Sequence, residues 1–204
     1  MAQVDLDTVP NHHRHHPDFT GVRGLVAALW FLIGRKHDAE LAARLTGAGP
    51  DDTVIDIGCG PGVAARHTAS LGATVIGIDP APVMLRVARL VGPSGQVRYL
   101  EGVAESLPVP DGIATVAWSL SSVHHWADID AALGEAHRAL RSGGRLLALE
   151  KLVRAGATGH ASHGWTAPQA DTFADRLAAN GFTGIVVQRH PGRRQTISVR
   201  AISG

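Results

Sequence analysis

The spacing of apolar positions changes along this chain, and the changes divide it into elements. From residue 53 onward, short runs of β-branched and aliphatic residues alternate with stretches of helical periodicity, each bounded by glycine, proline, aspartate or serine. The runs predict strands at Thr53–Ile57, Thr74–Asp79, Val97–Glu101, 115–119 and 145–150, with helices at Val63–Ser70, Pro82–Leu90 and 129–141 between them. Val75, Ile76, Gly77 and Ile78 follow one another without a polar residue, the pattern of a strand covered on both faces and so of a parallel sheet between helices. Right-handed crossovers make that a doubly wound α/β sheet. A last helix at 168–179 ends at Asn180-Gly181 and is followed by strands at 182–188 and 196–202. The connection 189–195 contains Pro191-Gly192 and is too short for a crossover helix, so these two strands form an antiparallel hairpin at the edge.

Ahead of this core, helices are expected at 24–33 and 38–45, the second placing Leu41, Ala42 and Leu45 on one face. The apolar run 25–33 is far shorter than the roughly 20 residues of a membrane span. Asp5, Asp7 and Asp18 precede it and Arg35-Lys36 follow it, which does not suit a signal peptide, so a cytoplasmic protein without a transmembrane segment is expected. His12, His13, His15 and His16 surround Arg14. Imidazoles can hold a metal, but no Cys or carboxylate stands beside them, and the segment reads as a solvated terminus with no metal assigned. The whole chain, 1–204, reads as a single domain in which 1–50 is a candidate lid and 51–204 the core.

Composition narrows the functional classes. With 204 residues and 45% hydrophobic positions the chain can bury a sizeable core. Nineteen Lys and Arg against 18 Asp and Glu give a net charge of +1, no field for gathering phosphate backbones, so no nucleic acid partner is expected. The single cysteine, Cys59, cannot form an intramolecular disulfide.

The densest chemical signal follows the first strand. Asp56, Ile57, Gly58, Cys59, Gly60, Pro61 and Gly62 carry a strand into a glycine turn and then a helix, the arrangement that brings backbone N–H groups close to a ligand. The dinucleotide spacing GxGxxG would put its third glycine at position 63, where Val63 stands. Glycines at 58, 60 and 62, with Asp56 two residues before them, resemble motif I of the class I S-adenosylmethionine-dependent methyltransferases. Asp79 closes the second strand near the spacing expected of an acid that grips ribose hydroxyls. Residues 99–108 resemble the family's adenine segment. Residues 117–139, with Ser119, His124-His125, Glu135 and Arg138, resemble its fourth strand and following helix, and 140–147 its LKPGG turn into the fifth strand. Within the family the chain is most similar to the small ubiquinone and menaquinone methyltransferase type.

The resemblance implies a Rossmann-like seven-stranded sheet, mostly parallel, of order 3-2-1-4-5-7-6. It implies S-adenosylmethionine as cofactor, S-adenosylhomocysteine as product and a small-molecule methyl acceptor. Gly58, Gly60 and Gly62 would admit the methionine part and Asp56 its amino group, with Cys59 a small filler of the turn. Asp79 and the adjoining Pro80 would meet the ribose, and the same pair also reads as a helix N-cap followed by proline. Val103, Ala104 and Glu105 would surround adenine, Val103 standing where the family commonly has Asp. Ser119 would complete the pocket, and His124 or His125 would orient the acceptor or act as general base. Ser119 to Ser122 replace the NPPY-like tetrapeptide of enzymes that methylate adenine in DNA. Spare length for acceptor recognition lies in 1–50 and in 151–167, which carries His160, His163 and Trp165. Two other classes share much of this pattern: a protein of the same fold that binds S-adenosylmethionine without methyl transfer, and a nicotinamide oxidoreductase, which would want glycine at 63.

Overall fold

The computed structural model describes residues 9–13, 28, 36–92, 96–192 and 194–204. Helix α1 (Lys36–Thr46) leads into β1 (Thr53–Ile57), α2 (Val63–Ser70), β2 (Thr74–Asp79), α3 (Pro82–Leu90), β3 (Val97–Glu101) and β4 (Ala114–Leu120). Then follow α4 (Ile129–Ala139), β5 (Leu140–Lys151), α5 (Ala167–Ala179), β6 (Phe182–His190) and β7 (Thr196–Ser203). The strands form one sheet of order β3-β2-β1-β4-β5-β7-β6. β1 to β5 pair in parallel, while β7 runs antiparallel to β5 and β6, as the short 189–195 connection required.

Alternation along the central strands supplies two apolar faces. Ile55, Ile57, Ala117, Leu146 and Ala148 join a core with Leu133 of α4 and Phe173 of α5. Val54, Val116, Trp118, Leu147 and Leu149 join a second core with Ala39 and Leu41 of α1 and Ala64 and Ala65 of α2. β4 is buried at every position, its polar Thr115 and Ser119 included, as befits a central strand covered on both faces. The expected helix at 24–33 lies outside the described residues except for Ala28, a helical residue buried against Ala81, Met84 and Val87.

Two boundaries depart from expectation. The helix expected to reach residue 141 stops at Ala139, because Leu140 turns to an extended conformation and pairs with Ala114 of β4. β5 therefore begins before 145; Gly143, at φ +75°, absorbs an irregularity after which Arg145 pairs with Val116. Asp79 is not the N-cap of α3. That position is Ala81, Pro82 opens the helix, and Asp79 accepts the Ala81 N–H from outside it.

α5 is fixed at its start by a capping box between Thr166 and Gln169 and along its length by Phe173, fully buried between Trp126 and Trp165. Phe173→Ala should lower unfolding free energy by about 3–5 kcal/mol in urea denaturation. A loss below about 1 kcal/mol would show that this aromatic cluster does not anchor α5.

Candidate active site

The carboxyl ends of β1, β2 and β4 meet where open α/β sheets place their ligand crevice. The turn after β1 is stitched to the end of β2 by three bonds: the N–H groups of Gly58 and Cys59 donate to the Ile78 carbonyl at 2.8 and 3.0 Å, and the Gly60 N–H donates to Asp79 Oδ2 at 2.8 Å. The other oxygen of Asp79 takes the Ala81 N–H at 2.9 Å. One buried carboxylate thus organises both loops.

The glycines of this turn are required for different reasons. Gly58 and Gly62 both sit at φ +75°, and a Cβ at either would overlap a neighbour, Ser122 Oγ at Gly58 and the Tyr99 hydroxyl at Gly62. Gly60, at φ +54°, has nothing within 4 Å of where a Cβ would stand. The turn is closed at its two ends and open in the middle, a cradle that fits a ligand approaching the backbone. A carboxylate accepts at about four sites, so the bonds from Gly60 and Ala81 are compatible with Asp79 also holding a vicinal diol.

Asp56 is buried at the end of β1. Cys59 is buried as well; desolvation, then the charges of Asp56 and Asp79, push its thiol well above the usual range, as befits a filler and not a nucleophile. Arg66, which belongs to no sequence motif, and Tyr99, the first residue of the segment likened to the adenine motif, frame the turn. Arg66 donates to the Pro61 carbonyl at 2.8 Å, and burial pushes the Tyr99 phenol, packed on Gly62, up to about 12.

The segment after β3 is drawn in by Gly102, whose N–H donates to the Asp79 carbonyl at 3.3 Å. Val103 is exposed at 44% and Ala104 buried; Pro80 is exposed. Glu105 Oε1 accepts the N–H groups of Ala127 and Asp128, at 2.6 and 3.1 Å, and so ties this segment to the start of α4. Glu135 takes the Leu107 N–H at 2.8 Å and is held below the usual carboxylate range, chiefly by the hydrogen bond from Arg138.

After β4 the chain is strained. Ser121 has φ 54°, a left-handed conformation uncommon outside glycine, and its N–H donates to the Leu149 carbonyl at 2.7 Å. Ser119 Oγ is buried and has no hydrogen-bond partner among the described residues. A 3₁₀ turn, Val123–His125, then presents the two histidines. His124 is buried and its Nδ1 lies 2.9 Å from Oε2 of the fully buried Glu150. His125 is pushed down to about 3 by burial and by the neighbouring His124, His163 and His13, so it is neutral at physiological pH.

The His-rich segment is not a solvated end over its described part. The His13 N–H donates to the His124 carbonyl at 2.9 Å, Asn11 donates to the Trp126 carbonyl at 3.0 Å and Trp165 donates to the Pro10 carbonyl at 2.8 Å. Asn11 and His13 are each 8% exposed. Residues 9–13 therefore close over the loop that follows β4, beside His163.

This fold and crevice define a protein of the class I methyltransferase architecture, and comparison with known proteins agrees. Residues 55–148 match the family model described as a methyltransferase domain. Malonyl-[acyl-carrier protein] O-methyltransferase of Serratia marcescens is 36% identical over 111 residues, 53% of this chain and 43% of that one. Demethylmenaquinone methyltransferase of Thermus thermophilus is 39% identical over 101 residues, 48% of this chain and 46% of that one. The chain thus spans less than half the length of either relative. A solved S-adenosylmethionine-dependent methyltransferase from Aquifex aeolicus superposes with TM-score 0.72 over 88% of this chain and 98% of its own, at 17% identity, which is a likeness of fold. Over residues 55–148 the chain is thus similar to methyltransferases.

Because Asp79 supplies the acceptor for two loop N–H groups, Asp79→Ala leaves both without it. Its unfolding free energy should fall by about 1–3 kcal/mol, measured by urea denaturation in the absence of ligand. An unchanged midpoint would mean that these bonds do not organise the turn.

Proposed function

We propose that this protein transfers a methyl group from S-adenosylmethionine to a small-molecule acceptor. The observation that carries the reading is the junction of the glycine turn with Asp79, open at Gly60 and closed elsewhere. In this reading the backbone at Gly58, Gly60 and Gly62, with Asp56, holds the methionine part. Asp79 accepts from the ribose hydroxyls, and Val103 and Ala104 cover adenine by apolar contact and a backbone N–H. Glu105 acts chiefly by holding that segment against α4, and Pro80 borders the ribose.

The cofactor, when bound, supplies a methyl group already activated by its sulfonium. The chain's own task is then to align the acceptor and keep water away, for which proximity and orientation are the main sources of rate. Ser119 completes the cofactor pocket, and the strained Ser121 and the segment 9–13 that closes over the loop after β4 border the acceptor. His125, neutral and pushed down to about 3, is too weak a base to take a proton from the acceptor, so the role that fits it is to orient the acceptor. Malonyl-[acyl-carrier protein] and demethylmenaquinone are the acceptors for which two relatives are named, and they frame the first compounds to assay. Among the described residues no helix is long and apolar enough to cross a membrane. The reading extends to a cytoplasmic site of action, supported by a single cysteine that serves packing.

Calorimetric titration with S-adenosylmethionine, S-adenosylhomocysteine and NADH separates the classes. One-to-one binding of both adenosyl compounds and none of NADH is expected, with at least a tenfold loss of affinity in Asp79→Asn. Folded protein that binds neither adenosyl compound would overturn the reading.

A further inference from the structure

Outside the glycine turn, the molecule gathers histidines from three distant parts of the chain. His124 and His125 come from the turn after β4, His163 from the segment before α5, and His12 and His13 from the amino-terminal segment. One ring nitrogen from each of His124, His125 and His163 lies within 4.8 Å of the others. His13 stacks on His163 at 4.3 Å between ring centroids and 13° between planes, while its Nε2 lies 3.0 Å from Ser162 Oγ. His12 packs against His13, with Nε2 3.0 Å from the Ser162 carbonyl. These outer contacts wall the group of three.

Glu150 distinguishes this group from a chance crowd of imidazoles. Its carboxylate is 0% exposed, Oε2 faces His124 Nδ1, and Oε1 is buried with no hydrogen-bond partner among the described residues. With Glu150 Oε2 as the acceptor, His124 donates from Nδ1 and its Nε2 is left as the donor atom for a metal. A carboxylate behind a ligating histidine is the usual second support of a metal site, fixing the tautomer and raising the basicity of the ligand.

We propose that His124, His125 and His163 bind one divalent first-row transition metal of the zinc type, with Glu150 as the positioning residue behind His124. Imidazole nitrogen suits Zn²⁺, Cu²⁺ and Ni²⁺, and the absence of thiolates and of other carboxylates among the three ligands sets the site apart from those preferred by Mg²⁺ or Ca²⁺. Three protein ligands leave a tetrahedral ion one open position, which accepts water or an oxygen, nitrogen or sulfur atom of a small molecule. The site lies just past the carboxyl end of β4, at the level of the crevice. It stands on its own residues and does not depend on the methyl-transfer reading.

The test uses the full chain, free of any affinity tag and stripped with chelator, titrated with Zn²⁺ by calorimetry and with Co²⁺ by visible absorption. One Zn²⁺ per chain is expected, with a rise in Tm and a Co²⁺ spectrum of nitrogen-rich four-coordination. His163→Ala should weaken Zn²⁺ at least tenfold and Glu150→Gln about 10- to 100-fold, with far-UV circular dichroism as the check of folding. His15→Ala/His16→Ala, in the same His-rich run, should leave it unchanged. Folded wild-type protein that binds no Zn²⁺ would overturn the proposal without recourse to a variant. So would Zn²⁺ affinity that survives His163→Ala and disappears in His15→Ala/His16→Ala.

Discussion

The Asp79 carboxylate is the constraint on which the crevice depends. It sits at the end of β2, a strand buried between β1 and β3, and takes one N–H from the turn after β1 and another from the start of α3. A turn with three left-handed glycines has little intrinsic reason to hold one shape, since glycine loses more conformational freedom on ordering than any other residue. The bonds to Asp79 and to the Ile78 carbonyl supply the restraint. Tyr99 and Ser122 fill the space a side chain at Gly62 or Gly58 would occupy, so packing and hydrogen bonding specify the same backbone path. Binding then meets a cradle already ordered, which lowers the entropy lost on association.

Around this junction the chain uses backbone donors to join segments that the sheet alone would leave apart. Gly102 bonds back to Asp79, Glu105 reaches the start of α4, and Leu107 bonds to Glu135. The region that follows β3 is thereby fastened at both ends, though it contains little regular structure. Beyond β4 the same economy holds: Ser121 keeps a left-handed conformation because its N–H is committed to Leu149. The amino-terminal residues 9–13 are fastened to Trp126, His124, Trp165 and Gln169.

Much of this was legible from the chain because the signals were local. Consecutive apolar residues in β2, the glycine spacing from 58 to 62 and the short link before β7 each bear on a few neighbouring positions. The start of β5 was not legible, because Leu140 becomes a strand residue through pairing with Ala114, a tertiary event that overrides the helical pattern of 129–141. Asp79-Pro80 read as a helix cap from sequence, but α3 starts two residues later because the carboxylate is drawn toward Gly60. Arg66 carries no motif, Tyr99 stood only in the segment likened to the adenine motif, and only folding sets both against the turn. The histidines show the limit most clearly. Each was visible singly, and His163 stood in a segment already marked for acceptor recognition, yet nothing in one sequence joins positions 13, 124 and 163. Glu150 ends an apolar strand and gave no sign that it backs His124.

The central claim is that the Gly58–Gly62 turn and Asp79 form one adenosyl pocket. A crystal structure of the protein with S-adenosylhomocysteine tests it most directly. The account predicts both ribose hydroxyls within hydrogen-bond distance of the Asp79 carboxylate and the amino-acid part of the ligand lying along the backbone at Gly60. Ligand bound elsewhere on the protein, with Asp79 making no contact to it, would contradict the account.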